Sequence, residues 1–147
     1  MNPKDFQKLN EEIIDTWNRH DVKKFLTYLD ENVVWIDPAS PEPFRGKAGA
    51  EQFFSGWDTA FPDFKMKVLN TVISGDDIAV ELEFSGTNTG PLHMGEQEIP
   101  PTNRKVTNKG SFFARLKGEK VSEVHSYPDL AGMMVQLGLQ EPHEAHA

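Results

Sequence analysis

Along the first third of the chain, apolar residues recur every three to four positions. Phe6, Leu9, Ile13, Ile14 and Trp17 fall on one helical face. Asn2 can cap that helix and Pro3 can occupy its first turn, where no backbone N–H is needed. Asp21 predicts the cap of a second, short helix carrying Val22, Phe25, Leu26 and Leu29. The period then changes. Val33, Val34, Trp35 and Ile36 form a β-rich run that stops at Asp37-Pro38. After Arg45-Gly46 a third helix carries Ala48, Phe53, Phe54, Trp57 and Phe61, and Pro62 ends it.

The second half alternates with period two, the strand signature. Phe64, Met66, Val68 and Val72 share one face of a first long strand, and Gly75-Asp76-Asp77 turns the chain. Ile78, Val80, Leu82, Phe84 and Gly86 share a face of the next. Residues 90–101 read as a loop, as do residues 37–43. Val106, Asn108, Gly110, Phe112, Ala114 and Leu116 then share a face. Gly118-Glu119 fits a two-residue hairpin turn, and residues 121–127 return. A last helix runs from about Leu130 to Leu137 and stops at Gly138.

The predicted class is α+β: N-terminal helices packed on a curved antiparallel sheet, with a short C-terminal helix. The opposite sheet face carries Glu81, Glu83, Ser85, Lys105, Thr107, Lys109, Ser111 and Arg115, so it faces water or a polar interface. One domain spans residues 1–140, and residues 141–147 form a polar tail that frays.

At 147 residues the chain suits a single core, and 37% hydrophobic with 26% charged residues suits a globular one. The net charge of -8 repels phosphate backbones and anionic lipid, so nucleic acid and membrane surfaces are not expected partners. Cys is absent, which removes disulfides, thiolate metal sites and Cys nucleophiles. The first residues carry no apolar targeting segment and no run is long enough to span a bilayer, so a cytoplasmic address is expected. His20, His93, His125, His143 and His146 form no metal-ligand pattern, and no metal is expected.

What breaks the apolar alternation points to chemistry. Val121 has the parity of Glu123, His125, Tyr127 and Asp129. If Val121 faces the helices, they do too. Extending the hairpin register sets Phe112 opposite His125, Gly110 opposite Tyr127 and Asn108 opposite Asp129. His125, Tyr127, Asn108 and Asp129 then converge at one end of the inner face. Buried without partners, such groups cost about 1–3 kcal/mol each. They persist either by satisfying one another or by serving a pocket. A carboxyl in an apolar cleft resists ionisation, which suits Asp129 to general acid/base work. Tyr127 and His125 can donate to a carbonyl oxygen that becomes enolate-like.

Three segments resemble a known family. They are Trp35-Ile36-Asp37-Pro38 leading to Pro43-Phe44-Arg45-Gly46-Lys47, then Ala60-Phe61-Pro62-Asp63-Phe64, then Tyr127-Pro128-Asp129-Leu130 with Gly132 and Gln136-Leu137-Gly138. Ile99-Pro100-Pro101-Thr102 before Lys105-Val106 matches as well. Together they resemble the SnoaL-like polyketide cyclase group of the NTF2-like superfamily. The resemblance implies a cone-shaped α+β fold around an apolar pocket, and a homodimer. It implies ring closure by intramolecular aldol condensation of a small hydrophobic carbonyl compound, without metal or organic cofactor. It places the family's acid/base at Asp129. Where the family usually has an aromatic, His125 stands, and residues 94–98 are longer and more acidic than the usual connection.

Each candidate also has a plainer role. Asp129 directly precedes a helix, and Asp is a leading N-cap residue. His125 and Tyr127 can be packed residues with one hydrogen bond, and one bulge would turn Glu123 to water. Asp37 at a strand end suits a turn; the resemblance makes it a second acid/base or substrate-binding candidate. Trp35, Trp57, Phe53 and Phe112 are core residues, or pocket wall by resemblance. His93 in the loop is expected at the surface and is also a substrate-binding candidate. The superfamily also holds isomerases, epoxide hydrolases and non-catalytic binders, so two alternatives stay open. One is binding of a hydrophobic molecule without turnover. The other is epoxide opening by a water held between Asp37 and Asp129.

Overall fold

Helix α1 (Pro3–Asn18) starts where its cap requires, with the Asn2 side chain accepting from the Asp5 N–H at 2.8 Å. Helix α2 (Val22–Leu26) is opened in the same way by Asp21, which accepts from the Lys24 N–H. Strand β1 (Leu29–Ile36) begins four residues upstream of the expected run. A short β2 (Phe44–Arg45) pairs with it and leads into α3 (Gly46–Ala60). β3 (Lys65–Ser74) and β4 (Asp77–Thr87) form a long hairpin. Within the expected loop lies a small hairpin, β5 (Leu92–Met94) with β6 (Gln97–Ile99), its turn made by Gly95 at φ +61°. β7 (Lys105–Lys117), β8 (Lys120–Pro128) and α4 (Leu130–Gln136) complete the chain. The structure is a computed structural model and describes residues 1–141. The expected tail beyond Glu141, with His143 and His146, lies outside the described residues.

The main sheet has the order β2-β1-β8-β7-β4-β3. β1 runs parallel to β8, so the sheet is mixed rather than wholly antiparallel. The chain leaves β1 and returns beside it only after the whole meander, and a long crossover permits parallel neighbours. Helices cover one face. Trp17 sits in that core, with ring centroids 4.3 Å from Phe54, 5.2 Å from Phe25 and 5.7 Å from Phe64. Among the described residues no helix is long and apolar enough to cross a membrane.

Two bulges reset which side chains face the core. In β3 the register shifts between Val68 and Asn70, leaving Leu69 unpaired. Thr71 and Ile73 then take the inner parity, and Val72, expected inside, is 58% exposed. In β8 the turn holds Lys117 against Lys120 and Leu116 against Val121, as the hairpin signal predicts. Beyond it Arg115 pairs with Glu123, so Ser122 is the extra residue. Its hydroxyl donates to the Arg115 carbonyl at 3.1 Å and pins the bulge. Every later residue of β8 changes side.

The connection between β4 and β7 is tied down by Asn88, which is fully buried. Its amide donates to the carbonyls of Ala60 and Gly90, and its oxygen accepts from the Thr102 N–H and hydroxyl, all within 3.1 Å. Asn88→Ala is expected to lower unfolding stability by about 3 kcal/mol, because these partners lose their hydrogen bonds in a dry site. Urea denaturation of the two proteins measures this.

Candidate functional site

Between α1, α3 and the inner sheet face lies a cavity of about 140 Å³. Trp17, Trp35, Phe53, Trp57, Phe84 and Phe112 form much of its wall. Asn10, Asp37, Asn108 and Ser126 bring polar side chains to it.

Asp37 continues the inner parity of Trp35 one step past the end of β1. Pro38 stops the strand there, and Asp37 Oδ1 accepts from the Ala39 N–H at 2.8 Å in an Asx turn. Only 4% of the residue is exposed, and Oδ2 is buried without a hydrogen bond. Burial raises the pKa of this carboxyl above its ordinary 3.8. The Ala39 N–H opposes the shift, as does the Ser126 hydroxyl from outside hydrogen-bond geometry, and no cation contributes. Ser126 itself accepts from the Trp35 indole N–H at 2.8 Å, which leaves the hydroxyl proton free to donate.

The β8 bulge overturns the expected inward cluster. Phe113, not Phe112, pairs with His125, Ser111 pairs with Tyr127, and Ser126 faces the cavity side of Phe112. His125 therefore points to the outer face and contacts Glu123 Oε1 at 2.8 Å. Tyr127 is half exposed, its ring edge-on to Phe113 at 6.1 Å. Gly110 lies opposite Pro128, whose Cα would sit 3.2 Å from an added Cβ, so the glycine accommodates a neighbouring backbone rather than a ligand.

Asp129 is exposed, caps α4 by accepting from the Gly132 N–H at 2.9 Å, and is not among the cavity-lining residues. An added Cβ at Gly132 would collide with that carboxylate. Asn108 does line the cavity and donates to the Asp129 backbone carbonyl at 2.8 Å, so it reaches the main chain of Asp129 rather than its carboxyl. Asp37 and Asp129 thus do not share the cavity as a carboxylate pair flanking a water would. Trp35, Trp57, Phe53 and Phe112 all form cavity wall. His93 is exposed on β5, 3.7 Å from Glu98. Among the described residues no group of three or more His, Asp or Glu side chains is placed to hold a metal ion.

Two cavity residues escape the sequence reading. Ser126 has no signal in the sequence, because only the bulge turns it inward. Asn10 has one: it sits four residues from both Phe6 and Ile14, inside the apolar stripe of α1.

A family model described as SnoaL-like polyketide cyclase matches residues 7–137. Among curated proteins no sequence relative matches the chain. Among solved structures, AclR from Streptomyces galilaeus is similar at TM-score 0.82 and 21% identity, over 97% of this chain and 87% of that one. A protein of ketosteroid isomerase-like fold from Catenulispora acidiphila reaches TM-score 0.75 at 14% identity, over 95% and 96%. SalBIII, an epoxide hydrolase/cyclase-like enzyme of pyran ring formation in polyether salinomycin, reaches 0.74 at 17%, over 89% and 95%. The fold is therefore the expected NTF2-like one.

The Asp37 carboxyl links stability to pH with a definite sign. Below the ordinary carboxylate value, folded and unfolded chains both hold its proton. As pH rises the unfolded chain ionises first, so this group progressively weakens the fold until pH passes its native pKa. Asp37→Asn removes that loss. Its stability relative to wild type is expected to improve as pH rises above about 4 and then level off. Denaturation curves across a pH series check this; an advantage that shrinks with rising pH would show a carboxylate stabilised in place.

Proposed function

The chain belongs to the SnoaL-like polyketide cyclase family, and on that premise we propose that its cavity takes a small hydrophobic carbonyl compound and that Asp37 moves a proton on it. The carrying observation is the buried Asp37 carboxyl, which borders an apolar cavity and has one oxygen free of protein hydrogen bonds; that oxygen is covered by its neighbours, so proton transfer requires a small shift of the wall. A raised pKa makes its carboxylate a stronger base than an exposed one.

In the aldol-type step, the Asp37 carboxylate takes a proton from the carbon next to a carbonyl. The C–H electron pair becomes the enolate, whose charge rests on oxygen. The enolate carbon attacks a second carbonyl of the same molecule and closes the ring. The new alkoxide recovers the proton from Asp37. The chemistry uses no cofactor and regenerates the carboxylate. The Ser126 hydroxyl, with its proton free, and the second N–H of the Asn108 amide are the donors that can meet an oxyanion at this wall. At about 140 Å³ the cavity is close to the size of an apolar cavity that holds benzene, about 150 Å³, so a single ring fits within it.

The same chain is proposed to pair with a second copy through its outer sheet face. Val72, Ala79, Phe113, His125 and Ile36 form one row across five strands there, by successive cross-strand pairing. Phe113 is 52% exposed and Tyr127 50%, so the face is less polar than the sequence suggests.

Turnover of a panel of monocyclic and acyclic diketones is expected to fall by roughly 10²–10⁴-fold in Asp37→Asn and to persist in Asp129→Asn, which keeps the cap. A confirmed turnover that survives Asp37→Asn contradicts the mechanism. Binding of the diketones with no turnover in wild type would make the cavity a sequestering one. Phe113→Glu is expected to convert a dimer to a monomer in light scattering, and a mass unchanged by the substitution contradicts the outer-face interface.

A further inference from the structure

Asn10 is a polar residue in the wrong place for a soluble helix. It lies in the middle of the α1 stripe that buries Phe6, Ile14 and Trp17, and only 5% of it is exposed. Its side-chain amide makes no hydrogen bond to any described residue. Asp37 Oδ2 is the one side-chain atom among the described residues that is both sealed off and without a partner. The Asn10 amide is therefore open to space, and the space this residue borders is the cavity. Asn is a poorer helix former than the Leu that would fill such a stripe, and a dry amide without a partner opposes folding. The fold tolerates both handicaps beside the cavity that Asp37 also borders.

We propose that Asn10 is the substrate-anchoring residue of this cavity, holding the carbonyl oxygen of the compound whose neighbouring carbon faces Asp37. The proposal rests on the carbonyl-compound reading above and narrows it. α1 packs on β3, at one edge of the sheet, while Asp37 directly follows β1, four strands away in the sheet order. The two groups thus enter from different walls. A ligand that satisfies both carries an oxygen acceptor toward α1 and an acidic C–H toward β1, as a cyclic or ring-forming ketone does. A bare hydrocarbon of the same size leaves the amide unpaired and loses this discrimination. The amide donates without titrating, so the anchor works at any pH at which Asp37 does.

The test compares 2-cyclohexenone with cyclohexene as probes, in wild type, Asn10→Leu and Asn10→Ala. Binding is followed by NMR through the indole N–H signals of Trp17, Trp35 and Trp57, all of which line the cavity. Wild type is expected to bind the ketone about tenfold tighter than the hydrocarbon, the equivalent of one good hydrogen bond. Both variants are expected to lose that preference while still binding cyclohexene, and Asn10→Leu is expected to melt no lower than wild type. The alanine variant guards against a leucine side chain that simply blocks the space. If both variants keep the preference, Asn10 is not the anchor and the carbonyl reading stands. If Asn10→Leu melts lower and binds neither probe, the residue is structural and the proposal falls. If wild type binds neither probe, or binds them equally, the carbonyl reading itself fails and the proposal fails with it.

Discussion

One extra residue in β8 decides which chemistry this cavity holds. Ser122 interrupts the pairing of β7 with β8 and is pinned by its bond to the Arg115 carbonyl. Because strand side chains alternate, a single insertion moves every later residue of β8 to the other face. Glu123, His125 and Tyr127 go to the outside; Val124, Ser126 and Pro128 come in. The outer face gains its aromatic pair, Phe113 with Tyr127, from the same shift. Without the bulge the inner face would carry three bulky polar groups beside Asp129. With it, that end of the cavity is lined by a small hydroxyl and a proline.

The polar content of the cavity is correspondingly sparse, and three of its side chains have an identifiable constraint. Trp35 holds Ser126, the Asp129 backbone holds Asn108, and the Asx turn holds one oxygen of Asp37. One carboxylate oxygen of Asp37 and the Asn10 amide have no hydrogen-bond partner among the described residues, while Ser126 and Asn108 each keep one donor proton. Groups fixed by neighbours rather than by solvent are positioned before a ligand arrives, which is the property electrostatic stabilisation of a transition state needs. The fold supplies the frame, and it hosts varied activities, so the assignment of chemistry rests on these few side chains.

Much of the architecture was legible in the chain. The stripe from Phe6 to Trp17, the caps at Asn2, Asp21 and Asp129, the Gly118-Glu119 turn and the β4 face from Ile78 to Gly86 are local patterns, and local patterns survive folding. The parallel pairing of β1 with β8 and the bulges at Leu69 and Ser122 are not local. They depend on how distant strands meet, and no residue type marks them. Asp37 was visible as a strand-end aspartate, but its burial depends on the pairing of β1 with β8, which brings the Ser126 hydroxyl near it. Asp129 was visible as a cap, and a cap is what the geometry makes of it. Asn10 could have been found from its place in an apolar stripe, since a polar residue there breaks the pattern as plainly as Asn108 does on its strand.

The central claim is that a carboxyl in an apolar cavity, Asp37, is held short of solvent. The most direct measurement is a ¹³C NMR titration of its side-chain carboxyl in the intact chain. A midpoint above the ordinary 3.8 is predicted, because burial outweighs the Ala39 and Ser126 donors. A midpoint at or below that value would mean that water or a cation reaches the carboxylate, and would contradict the account.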